Sequence, residues 1–181
     1  MNPGAGDSAI DRVDALTDGY ISPERAQEIS KRYPAVSNVV VGWIRESAAQ
    51  RNWRRVERFA NLAAALKVAG LGGVVVELVD SDVEGLNYED LIDILGEIRE
   101  EAAANSMFRL AERSREHDAP AFWLCQKVIL SLSELDTDEA RDKLRMMTTA
   151  AWPSAVRWHA AVALGMEEQL GFDEDHMLGY S

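Results

Sequence analysis

A single cysteine, Cys125, stands among 181 residues, so no intrachain disulfide can form and the fold must rest on packing. Proline and glycine are sparse, at 5 and 12, which excludes collagen-like and low-complexity chains. Basic residues are outnumbered, with 19 Lys and Arg against 31 Asp and Glu, giving a formal charge of −12 and a pI of about 4.7. That balance argues against a protein that holds nucleic acid or an anionic membrane mainly through charge. Long apolar runs are also missing. The strongly apolar stretches 39–44 and 74–79 fall far short of the roughly 20 residues that a membrane span needs. The first 20 residues carry no basic stretch followed by an apolar run and do not read as a secretory signal. A soluble, cytoplasmic protein is the expectation. The 47% of hydrophobic residues suffices for one sizeable core, about one domain's worth of chain.

What is present is helical periodicity. Residues 1–20 mix Gly, Asp and Ser around a weak stripe at Ile10, Val13 and Leu16, and are assigned to a flexible N-terminal arm. Ser22-Pro23-Glu24 supplies a cap, a proline for the first turn and an early acid, opening a helix that Pro34 stops. Val36, Val40, Trp43 and Ile44 then mark a helix face, and Asn52 caps a further one carrying Val56, Phe59, Ala63 and Leu66. The β-branched run Leu71 to Val79 fits a buried strand as well as a short helix. A lone strand would leave its backbone unpartnered, so the helix is preferred. Asn87 caps a helix marked by Leu91, Leu95 and Ile98, and Met107, Leu110 and Ala111 mark the next, running towards His117. The clearest helix spans Pro120 to Leu135, with Cys125, Val128, Ile129 and Leu132 inward. Asp136 or Thr137 opens another, and Pro153 starts a last one that reaches Gly165. No Asn-Gly or Asp-Gly turn separates alternating segments. The fold class is all-α, with about eight or nine helices.

Two helix pairs in the second half share a layout, 106–117 with 120–135 and 137–150 with 153–166, and their second helices begin with prolines 33 residues apart. The run Val156-Arg157-Trp158-His159-Ala160-Ala161-Val162-Ala163-Leu164-Gly165 resembles the second helix of a HEAT repeat. Small alanines there let helices approach closely while Val, Leu and the aromatic fill the seam. That resemblance implies a right-handed α-solenoid of stacked antiparallel helix pairs over residues 21–170, followed by an acidic C-terminal tail at 171–181. The Asp that such repeats commonly carry before the Val-Arg pair is missing from Trp152-Pro153-Ser154-Ala155, so the polar ladder between repeats is not implied. A compact, non-repeating helical bundle is the alternative, with both prolines as ordinary helix starts.

Residues suited to chemistry are few. Gly70-Leu71-Gly72-Gly73 lacks the spacing and the Lys-Ser/Thr of a phosphate-binding loop. Cys125 lies on an apolar stripe, where a small buried hydrophobe is the simple account. His117 and Asp118 sit at a helix end and His159 beside Trp158. His176 has acids nearby but no second His or Cys at helical offset to build a zinc site. No catalytic residue, cofactor or metal is assigned.

Charge and aromatics carry the functional reading. Residues 45–58 hold five arginines (45, 51, 54, 55 and 58) against two acids, and residues 77–101 hold ten acids against Arg99 alone. Either these segments neutralise one another, or the acidic one receives a basic partner. Trp53, beside Arg54 and Arg55, and Trp152, in an inter-helix turn, are the aromatics expected to be partly exposed, where Trp and Arg commonly anchor partners. The expectation is a non-enzymatic scaffold that binds a basic protein through Glu77, Asp80, Asp82, Glu84, Asp93, Glu97, Glu100, Glu101, Trp53 and Trp152. An inhibitor or immunity protein of a basic toxin is its narrower form. The alternative is a nucleic-acid binder using the Arg45–Arg58 patch, as the resemblance of some HEAT-like proteins to DNA-repair glycosylases implies.

Overall fold

The computed structural model describes residues 8–172, and among them there is no strand. Ten α-helices follow one another: α1 (Ala9–Leu16), α2 (Pro23–Arg32), α3 (Val36–Ala49), α4 (Trp53–Ala65), α5 (Leu71–Asp80), α6 (Tyr88–Glu97), α7 (Ala104–Ser114), α8 (Trp123–Leu135), α9 (Asp138–Met147) and α10 (Ser154–Leu164). A short 3-10 turn, Glu101–Ala103, leads into α7. The chain forms two compact units, divided between Ile94 and Leu95 within α6, where the sequence predicts a single domain over 21–170.

In the first unit α3 and α4 lie side by side, and α5 packs on both. Val40, Ile44, Val56, Phe59, Leu62 and Val75 are fully buried between them. The ambiguous run at 71–79 is a helix because Leu71, Val74, Val75, Leu78 and Val79 are all buried, leaving little beyond Gly73, Glu77 and Asp80 outside. A segment apolar on most of its circumference is stable as a helix when neighbours surround it. Side chains set the starts: Ser22 accepts the N–H of Arg25, Asn52 that of Arg55, and Thr137 that of Ala140 in the second unit.

The loose arm expected at 1–20 is corrected over its described part. Ser8 caps α1 by accepting the N–H of Asp11, and Val13 is fully buried. Helix α1 lies against α4. The weak apolar stripe was too short to signal this, and the ion pairs that also hold α1 reach residues more than 35 positions away.

In the second unit α7 packs with α8 and α9, α8 also with α9 and α10, and α9 with α10. Leu95, Met107, Ile129, Leu132, Leu144 and Met147 are its largest fully buried side chains. Helix α8 begins at Trp123 rather than Pro120, which instead follows a cis peptide in the preceding turn. Its N-terminus is capped from that turn: the Asp118 carboxylate accepts the N–H groups of Leu124 at 3.2 Å and Cys125 at 2.9 Å. A side chain from outside the helix thus satisfies donors that would otherwise be orphaned. Pro153 stands where the sequence places it, just before α10, and Gly165 ends that helix in the left-handed region at φ 62°.

Candidate functional site

Three arginines of the basic segment, Arg54, Arg55 and Arg58, are occupied by aspartates from outside residues 77–101. On α4, Arg55 Nε donates to Asp14 at 3.1 Å and Arg55 Nη2 to Asp11 at 2.9 Å. Arg58 Nη1 donates to the other oxygen of Asp14 at 3.1 Å, and Arg58 also pairs with Asp18. Arg54 reaches Asp18 at 3.2 Å. Three aspartates of α1 and the turn after it therefore meet three arginines of one helix. Their spacing of three and four residues places Asp11, Asp14 and Asp18 on one side of a helical path. Arg25 secures the turn by donating to the carbonyls of Leu16 at 2.8 Å and Tyr20 at 3.2 Å.

The electrostatics follow the geometry. The Asp11 carboxyl is held below the usual carboxylate range by the Ser8 hydroxyl and then by Arg55, and that of Asp18 by the charge of Arg58 and the hydrogen bond from Arg54. Arg55 loses solvation, but its hydrogen bonds to Asp14 and Asp11 outweigh that loss and raise its pKa.

Between the basic and acidic segments, Arg45 pairs with Glu77 at 3.1 Å, with both side chains exposed. The acids proposed from sequence are divided between the units. Glu77, Asp80, Asp82, Glu84 and Asp93 belong to the first, Glu97, Glu100 and Glu101 to the second. Glu84, Glu97 and Glu101 are exposed, and among the described residues they form no ion pair, whereas Asp93 and Glu100 are half-buried. Glu57 on α4 has its pKa raised, mainly by burial and further by the charge of Asp90, against a backbone hydrogen bond from Asn87.

The aromatic assignments change. Trp152 is 6% exposed and is corrected from a partner contact to a core residue. Its ring meets Phe108 of α7 edge-on at 5.7 Å, and the Arg115 guanidinium lies 5.8 Å from its centroid. Arg115 also donates to the Ala151 carbonyl at 3.0 Å, pinning the turn that delivers the indole inward. Trp53 is half-buried, and a Cβ on Gly85 would come within 3.1 Å of its ring, so the loop after α5 covers one edge.

Trp123 is the exposed tryptophan, at 63%, with Leu130 at 59% seven residues further along α8. Two helical turns separate them, so they share a face. The signal was present in the sequence, since both fall outside the inward stripe of Cys125, Val128, Ile129 and Leu132.

Catalytic candidates do not assemble. The Cys125 thiol is fully buried, and burial, reinforced by the Asp118 charge, pushes its pKa up to about 12. Burial lowers the pKa of His159, which favours the neutral imidazole. Among the described residues no three His, Cys, Asp or Glu side chains are grouped to hold a metal ion, and no helix is long and apolar enough to cross a membrane. His176 and residues 173–181 of the acidic tail lie outside the described residues. No protein-family model, curated protein or solved structure matches the chain.

Proposed function

We propose that this chain is a non-enzymatic helical scaffold that binds a basic protein partner through acidic side chains of residues 77–101. One observation carries the reading: Arg54, Arg55 and Arg58 are taken up by Asp11, Asp14 and Asp18, and Glu84, Glu97 and Glu101 are exposed and without ion pairs among the described residues. Unpaired surface carboxylates steer a basic partner and set its on-rate. Trp123 takes the place of the buried Trp152 beside the half-buried Trp53 as an aromatic available to anchor it. An inhibitor or immunity protein of a basic toxin, acting in the cytoplasm, is the narrower form.

The HEAT-like arrangement is part of the same proposal. It rests on the resemblance of residues 156–165; the packing of α7 to α10, in which α8 meets α7, α9 and α10 alike, is that of a helical bundle. The nucleic-acid alternative is not favoured, because Arg54, Arg55 and Arg58 are engaged by carboxylates.

Affinity capture from the native host tests the proposal, with the wild-type chain and an E84K/E97K/E101K variant compared at 50 and 150 mM salt, values that bracket about one Debye length of 10 Å. The expected result is a partner with pI above about 9 that the wild type retains and the variant loses. Equal retention by both chains, or no retained partner at either salt, rejects the acidic surface.

A further inference from the structure

Helix α1 shows what the arginine face of α4 is shaped to receive. It has only 8 residues, a length at which an isolated helix is marginal in water. Its one fully buried apolar side chain is Val13, with Ile10 and Leu16 half-buried beside it. Charge supplies much of the remaining hold: two contacts to Asp14, one to Asp11 and two to Asp18. The receiving surface, by contrast, belongs to a 13-residue helix anchored on α3 by Val56, Phe59, Ala60 and Ala63, all fully buried. The arginines are thus preorganised on a rigid element, and their occupant is a short, weakly anchored one.

We propose that the Arg54–Arg55–Arg58 face of α4 is a recognition site for an acidic amphipathic helix. Helix α1 occupies it within the chain, and a partner helix with carboxylates at the spacing of Asp11, Asp14 and Asp18, flanking a small apolar residue like Val13, displaces α1 from it. The occupant seen in the structure defines that partner. Arg55 and Arg58 share Asp14 from two sides, a geometry that planar guanidinium groups match to carboxylates. A nucleic-acid strand could answer the arginines but offers nothing to the site that buries Val13, and the chain's charge of −12 opposes it. Tethering gives α1 an effective concentration of order mM, so the site is masked until a competitor of sufficient affinity arrives or α1 is weakened. This site lies on α4, apart from the acidic side chains proposed above, and the peptide assay tests it alone.

The test uses the full chain and a fluorescein-labelled synthetic peptide comprising residues Ser8 to Tyr20, followed by anisotropy at 50 mM salt. A chain carrying Asp11→Asn, Asp14→Asn and Asp18→Asn is expected to bind the peptide at least ~10-fold more tightly than the wild type, the equivalent of removing about 1.4 kcal/mol of internal competition. Adding Arg55→Gln and Arg58→Gln to that chain should abolish binding, and 500 mM salt should weaken it. Equal peptide affinity for wild type and triple variant overturns the proposal, as does binding that survives loss of both arginines. Tighter binding of a 12-nucleotide single strand than of the peptide would assign the face to nucleic acid instead. If the triple variant fails to unfold cooperatively, Asp14→Asn alone carries the same comparison, since Asp14 bridges both arginines.

Discussion

Asp14 accepts the Nε–H of Arg55 at 3.1 Å across 41 residues of chain, and this contact holds the N-terminal helix to α4. The pair is neither fully exposed nor sealed, with side-chain exposures of 20% on both sides. Its loss should cost between the values for exposed and buried ion pairs, about 1–2 kcal/mol for Arg55→Ala. Urea unfolding should show that shift in midpoint with little change in slope. Arg51→Ala, at an exposed position with φ 54°, should change stability by no more than about 0.5 kcal/mol.

Docking of α1 should depend on pH in a defined direction. Asp11 and Asp18 have lowered folded-state pKa values, so their contribution is fully present above the ordinary aspartate value of 3.8 and is lost as pH falls through the lower folded values. Amide exchange at Val13 and Thr17, both fully buried, should quicken below about pH 4 relative to the amides of α3. In an Arg55→Gln/Arg58→Gln chain that pH dependence should shrink without vanishing, because Ser8 still lowers the pKa of Asp11 and Arg54 that of Asp18.

Asp118 caps α8 from a preceding turn and should behave as an N-cap although it lies six residues before Leu124. Asp118→Ala should cost about 1–2 kcal/mol, and Asp118→Asn less, since an amide oxygen still accepts a hydrogen bond. The exposed Asp138 of α9 serves as control, with Asp138→Ala within about 1 kcal/mol of wild type by thermal unfolding.

The Cys125 thiol should resist chemistry in the folded chain. A thiol whose pKa is pushed up to about 12 and whose sulfur is fully buried holds almost no thiolate at pH 8. A colorimetric disulfide reagent should therefore label it at the rate of unfolding and at full speed in urea; prompt labelling of the native chain would contradict the burial.

Two helical glycines should respond oppositely to the same change. Gly73 on α5 has open space where a Cβ would stand, so Gly73→Ala should stabilise by about 0.5–1 kcal/mol through the unfolded chain and helix propensity. At Gly96 a Cβ would lie 2.9 Å from both Ser131 Cβ and Oγ, in addition to overlapping Glu134, so close approach to α8 outweighs propensity. Gly96→Ala should lower the melting temperature, and Gly73→Ala should raise it.

Most helices were legible because their signals are local. Ser22-Pro23, Asn52, Thr137 and Gly165 act on donors and acceptors within one turn of themselves, and the inward stripe of α8 follows from 3.6-residue periodicity alone. Trp123 and Leu130 were equally readable as residues off that stripe. The all-α class and the acidic character were thereby determined by sequence alone.

Where charges and large rings end up was decided by residues distant in the chain. Arg55 and Arg58 find Asp14 more than 40 positions away rather than the nearer acids of 77–101, and Trp152 turns inward because Phe108 and Arg115 lie across from its turn. An ion pair or an aromatic contact depends on which surfaces the core packing brings within a few ångströms, and helical periodicity carries no record of that.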